Sequence, residues 1–180
     1  RIYLNLSDTS QNVYTLFGIP DGTPLSLPPA FHVDPPFGVN IGGVNPAFFP
    51  TNPDSEFDSW ITVGIDDGSN QNAISAVGID FDSWTETTGL NVNDGAIFWM
   101  DPSNGPERTD PEGNNNIVDI TIAQFTVPTG NTFSFITGLQ GRSVTGDDWQ
   151  DSIKVHIVEC MAPDSVEGYN ITGTNYSISD

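Results

Sequence analysis

Carboxylates are the chemical resource this chain holds in excess: 24 Asp and Glu stand against 4 Lys and Arg in 180 residues. Grouped carboxylates bind calcium, which takes roughly six to eight oxygens from carboxylates, amides and carbonyls, often gathered by one acidic loop. Three windows offer such oxygens: Asp66-Asp67-Gly68-Ser69-Asn70, the stretch Asp101–Asn116 with Asp101 and Asp110, and Asp147-Asp148-Trp149-Gln150-Asp151. None has the spacing of an EF-hand loop. The expected Ca2+ ligands are Asp66, Asp67, Asp101, Asp110, Asp147, Asp148 and Asp151. Polar turns closed by side-chain-to-backbone hydrogen bonds are the competing use of the same residues.

Other chemistry has less to work with. His32 and His156 are far apart, and no serine or cysteine sits in a Gly-x-Ser-x-Gly setting. Neither a phosphate-cradling glycine loop nor zinc spacing is present. Many carboxylates can pair, but a hydrolytic pair is defined by its separation in space. The chain is expected not to be an enzyme. Sugar rings stack on aromatic faces, and Trp84 and Trp149, beside acidic loops, are the candidates for that role. Trp60 and Trp99 lie within apolar strands and are expected in the core.

Three Asn-x-Ser/Thr sequons occur, at Asn5, Asn170 and Asn175, all within the terminal segments. Composition alone produces about that many matches, so the placement carries the information. Asn5 has the polar parity of its strand, opposite Ile2, Leu4 and Leu6, where an N-linked glycan would stand clear. Asn170 and Asn175 are five apart, so an unbroken strand would point them to opposite faces. Both can carry glycans only if that tail is exposed on two sides or its parity changes near Gly173.

The elements that must carry these residues are strands. Helical periodicity is missing, and alternation with β-branched and aromatic clusters replaces it. Strands are expected at Arg1–Leu6, Val13–Phe17, Phe57–Ile65, Ala73–Phe81, Ala96–Met100, Ile117–Val127, Thr132–Leu139, Ser152–Val158 and near Tyr169–Ile178. Turn signals such as Asp67-Gly68, Asp94-Gly95 and Thr145-Gly146 separate them. This pattern predicts an all-β antiparallel sandwich, Ig-like or jelly-roll. Ile153, Val155 and Ile157 should face the core, with Lys154 and His156 outside. In Ile117–Val127 the apolar parity switches near Ala123, which predicts a bulge or a strand covered on both faces. Residues Pro20–Pro53 hold 9 of the 14 prolines and read as an ordered loop wrapping one end of the sandwich. Long ordered loops often carry function. The tetrapeptide Phe-Asp-Ser-Trp occurs twice, at Phe57–Trp60 and Phe81–Trp84.

Charge narrows the partners. A formal net charge of −20 leaves no basic footprint for nucleic acid and repels anionic membrane surfaces. No apolar run reaches the roughly 18–20 residues of a membrane span. Aromatic content of 11% marks a chain that folds. With Cys160 alone, an intrachain disulfide is impossible, and an intermolecular bond is the remaining disulfide option. Three segments follow: an N-terminal strand extension (1–12), a sandwich body (13–159), and a connector with a glycosylated tail (160–180). Short alternating strands at both ends either complete their own sheet or add to a neighbour's edge.

The runs Asn45–Phe49, Glu56–Gly64, Asp94–Asp101, Gln140–Ser143 and Asp148–Gln150 resemble secreted β-rich domains in surface proteins of aquatic microorganisms, including microalgae. The terminal sequons and strand-like tails are also similar to glycosylated extracellular fibres and pilin-like subunits linked by strand donation. The resemblance implies a secreted, extracellular setting. It differs from pilins that use Lys–Asn cross-links, because the only lysine, Lys154, lies on the polar face of its strand. The expected function is a secreted, N-glycosylated structural subunit of a filament or surface layer. It would polymerise with itself by strand addition through Ile2, Leu4 and Leu6. The alternative is a calcium-dependent carbohydrate-binding module, with glycans as partners.

Overall fold

The computed structural model describes residues 1–109, 116–157, 170–171 and 174–178. Their strands are β1 (Ile2–Asn5), β2 (Ser10–Gly18), β3 (Leu25–Leu27), β4 (Trp60–Ile61), β5 (Ile74–Val77) and β6 (Leu90–Val92), followed by β7 (Gly95–Trp99), β8 (Ile120–Gln124), β9 (Phe133–Ser143), β10 (Asp148–Ile157), β11 (Asn170–Ile171) and β12 (Thr174–Ile178). One sheet has the order β11-β12-β1-β8-β4; the other runs β5-β7-β2-β9-β3-β6, with β10 also paired to β9. Every strand pairing is antiparallel. The two sheets bury a common core, with Ile2, Leu4, Ile120 and Ile122 from the first meeting Leu16, Ile97, Phe135, Leu139, Ile153 and Val155 from the second. The expected all-β antiparallel sandwich is the observed one. Among the described residues, no helix is long and apolar enough to cross a membrane.

Alternation set the faces as expected in β10, where Ile153 and Val155 are buried while Lys154 and His156 are exposed. Strand β8 resolves its mixed parity by both routes. Ile120, Thr121, Ile122 and Ala123 are all buried, and the β1–β8 register slips between Ile2↔Ala123 and Tyr3↔Thr121, so a bulge falls at Ile122. The β9–β10 hairpin turns at Thr145-Gly146, with Gly146 at φ 91° and the Ser143 N–H donating to Asp147 O at 2.8 Å. Trp149 lies across Gly141, where an added Cβ would sit 2.4 Å from the indole and 2.0 Å from Asn12 O. Only glycine permits that approach.

Several expectations are corrected: the strand expected over Ala73–Phe81 is Ile74–Val77, ended by Gly78 at φ 70°, and the one expected over Ile117–Val127 is Ile120–Gln124. The strand expected over Phe57–Ile65 shrinks to Trp60–Ile61, because Pro53–Phe57 winds into a 3₁₀ turn; proline there presets φ for a helical first turn. The three-residue strands β3 and β6, which pair with each other, escaped notice because three residues cannot display a period. Residues Pro20–Pro53 do form an ordered loop region, interrupted by β3 and a 3₁₀ turn at Pro46–Phe48. The segments read as extensions are joined to the body: β1 lies between β8 and β12. Both chain ends therefore build the smaller sheet.

Candidate functional site: a proline-walled cleft against a buried aspartate

The loop region opens a cleft of about 320 Å³ lined by Phe31, His32, Val33, Asp34, Pro35, Pro36 and Phe37 on one side and Asn52 and Asp54 on the other. Its walls are held from behind by Asp58, whose side chain is 0% exposed. One carboxylate oxygen accepts the Val33 N–H at 2.9 Å, and the other accepts the Val39 N–H at 2.7 Å. A single side chain thus closes the loop from Val33 to Val39. Burial pushes the Asp58 carboxyl up to about 6, against the opposing pull of its backbone hydrogen bonds from Val33, Val39 and Ser59. Around it, the Gln124 amide donates to the carbonyls of Asp58 (2.7 Å) and Glu56 (3.0 Å). Ser59 Oγ accepts the Thr126 N–H at 2.9 Å. The segment is stapled to the end of β8.

His32 stands between the cleft and this aspartate. Its Nδ1 is 3.9 Å from Asp58 Oδ1, too long for a hydrogen bond. Its Nε2 is buried and bonded to nothing, and burial lowers its pKa, so the ring is neutral at pH 7. The imidazole meets Trp84 edge-on, with centroids 4.3 Å apart. A His–Asp couple is half of a nucleophilic triad, but among the described residues no hydroxyl or thiol is bonded to the imidazole. The other histidine, His156, makes a 2.7 Å contact with Ser134 Oγ on the exposed face of the β9–β10 pair, outside the cleft.

The sequence-predicted residues fall elsewhere. Trp84 is a correction: it is 3% exposed, its indole N–H donates to Pro28 O at 2.7 Å, and its ring packs against Phe125. With both faces in the core, it presents no surface to a sugar. Trp149 is half-buried against the core with its N–H unpartnered. The candidate calcium ligands are dispersed and individually engaged. Asp66 accepts from Arg1 (2.9 Å) and Thr121 (3.1 Å). Asp67 accepts the Ser69 N–H, and hydrogen bonds from Ser69 hold its carboxyl below the usual carboxylate range. Asp101 caps Ser103 and binds the Asn104 amide. Asp147 accepts from Thr145, Asp148 lies 3.7 Å from Arg142, and Asp151 accepts the Ser152 N–H. Asp110 and Cys160 lie outside the described residues. Among the described residues no group of three or more His, Cys, Asp or Glu side chains converges.

Asn5 lies on the face away from the core, as its parity requires, but it is half-buried and its amide already donates to Asp119 Oδ1 (2.6 Å) and Val118 O (3.2 Å). The register places Asn5 opposite Asn175, and Asn175 opposite Asn170. All three sequon positions form one cross-strand row. The antiparallel pairing of β11 with β12 is what sets Asn170 and Asn175 opposite each other. Ile2, Leu4 and Leu6, expected to bridge subunits, are core residues of their own chain here, because β8 and β12 flank β1 on both sides.

Asp58 is the residue sequence reasoning missed. Its signal was the one charged residue in the run Phe57-Asp-Ser-Trp-Ile-Thr-Val, with no lysine or arginine nearby to pair it. No family model matches the chain, and neither does any curated protein or solved structure.

Proposed function

We propose that the protein is a secreted, N-glycosylated structural subunit that assembles with its own copies by exchanging β1. The observation that carries this reading is the position of β1. Ile2, Leu4 and Leu6 are buried in the core, and β1 is hydrogen-bonded between β8 and β12. Buried Leu6 and the exposed Ser7–Thr9 join it to β2. A neighbour's β1 would make the same contacts, which is the low-cost route to assembly by swapping. Subunits of charge −20 repel beyond the roughly 8 Å over which 0.15 M salt screens. A joint of buried apolar side chains and main-chain hydrogen bonds acts within that distance. Assembly should therefore weaken as ionic strength falls.

Neighbouring strands lie about 4.8 Å apart, so glycans on Asn5, Asn175 and Asn170 would crowd one row. Intact mass before and after deglycosylation should show fewer than three sites filled on a chain. The assembly test deletes residues 1–12 and follows the product by electron microscopy and size exclusion; the expected product does not form filaments. A second variant, Leu4→Cys with Ile120→Cys in a Cys160→Ser background, places thiols at directly paired positions. Oxidised under assembling conditions, it should give a ladder of covalent multimers. Filaments of unchanged length from the deletion, or cross-linked monomer alone from the cysteine pair, would overturn exchange.

A further inference from the structure

The cleft sets two carboxylates beside a hollow walled in part by phenylalanine and proline rings. Phe31, Pro35, Pro36 and Phe37 line it, and Asp34 and Asp54, both exposed, stand at its edges. Phe37 is fixed by an edge-to-face contact with Phe48, centroids 5.6 Å apart. Among the described residues, neither aspartate is in an ion pair and no lysine or arginine lines the hollow.

We infer that this cleft binds an organic cation: an ammonium or guanidinium group carried on an apolar stem. An anion would meet two carboxylates in the field of a strongly negative protein. A neutral apolar ligand would bury them without a partner. A cation pairs with them and lays its methylenes along the proline rings. A volume of about 320 Å³ holds one such side chain or the end of a polyamine. The loop that forms the wall is pinned at Val33 and Val39 by Asp58, so the hollow is pre-shaped. This inference is independent of β1 exchange, and its variants leave β1 untouched.

The test titrates the intact chain with N-acetyl-lysine methylamide, N-acetyl-arginine methylamide and spermidine, following backbone amide shifts by NMR and heat by calorimetry. N-acetyl-norleucine methylamide and methyl glucoside serve as neutral probes. Saturable shifts should centre on residues 31–37 and 52–54 for the cations only. Stronger binding of the amino-acid amides marks a side chain of a basic partner protein as the source; stronger binding of spermidine marks a free amine. Asp34→Asn and Asp54→Asn should each weaken binding about threefold to fivefold, as expected for partly exposed ion pairs, while Asp82→Asn changes nothing. Shifts spread over the whole surface, affinity unchanged in the double variant, or equal binding of a neutral probe would overturn the inference.

Discussion

Phe-Asp-Ser-Trp is written twice in this chain and folded in two ways. In the first copy, Phe57 is 56% exposed while Asp58 and Ser59 are fully buried. In the second, Phe81 packs against the core while Asp82 and Ser83 face solvent. Only the tryptophans agree, Trp60 at 1% and Trp84 at 3% exposed. The first copy leaves a 3₁₀ turn and enters β4, whereas in the second Phe81–Ser83 is itself the turn. The two copies come together at His32, which touches Trp84 on one side and approaches Asp58 on the other. Identical local sequence therefore assigns one residue of four to the same environment. The partners waiting at Val33 and Val39 for the aspartate, and at Thr126 for the serine, bury those two in the first copy.

The comparison can be broken at each position. The tryptophans should matter equally: Trp60→Ala and Trp84→Ala should each lower unfolding free energy by about 3–5 kcal/mol, read from urea midpoints. A difference beyond that range would mean that their shared burial hides unlike roles. The aspartates should differ most between copies. Asp58→Ala strips the acceptor from two backbone N–H groups and should cost about 3 kcal/mol. Asp82→Ala should stay within about 0.5 kcal/mol of the parent.

The same carboxyl makes stability depend on pH. Because burial raises the folded-state pKa of Asp58 to about 6 from 3.8, the folded chain binds its proton more tightly than the unfolded one. Its contribution is fully present below about pH 3.8 and is lost as pH rises through 6. The full change is on the order of 3 kcal/mol. His32 has the opposite sign, since burial lowers its pKa and acid then destabilises. Measured in a His32→Gln background, Asp58→Asn should abolish the decline between pH 4 and 6.5. A decline that survives the substitution would place its source elsewhere. The phenylalanines give the smallest effect. Phe81→Ala should cost about 1–2 kcal/mol, for a half-buried ring, and Phe57→Ala close to nothing. The reverse order would contradict the assigned burial.

Some of this fold was legible before any coordinates. Although β10 begins at Asp148, four residues before the expected Ser152, the alternation of Ile153 and Val155 with Lys154 and His156, and the glycine turn at Thr145-Gly146, gave its faces and its turn correctly. The proline density likewise marked residues 20–53 as loop. The calcium windows show the opposite. Their residues are rich in oxygen, but hydrogen bonds such as Asp67 to Ser69 and Asp101 to Ser103 use them as turn closers, and composition does not distinguish the two uses. The cleft was foreseen only as a loop worth searching, because its two walls are separated by some fifteen residues of intervening chain. Trp84 looked exposed beside its acidic loop until Pro28 and His32 closed over it.

By itself, then, the sequence determined the class of fold, the inward faces of its regular strands and the sign of its surface. These follow from side-chain period, turn chemistry and charge, all of which act over a few residues or sum over the whole chain. The tertiary structure alone decided which aspartate is buried, that β1 completes its own sheet, and that three sequons share one row. Each of these depends on backbone groups far along the chain, 19 and 25 residues from Asp58 at Val39 and Val33. Burial and pairing are properties of the partner as much as of the residue.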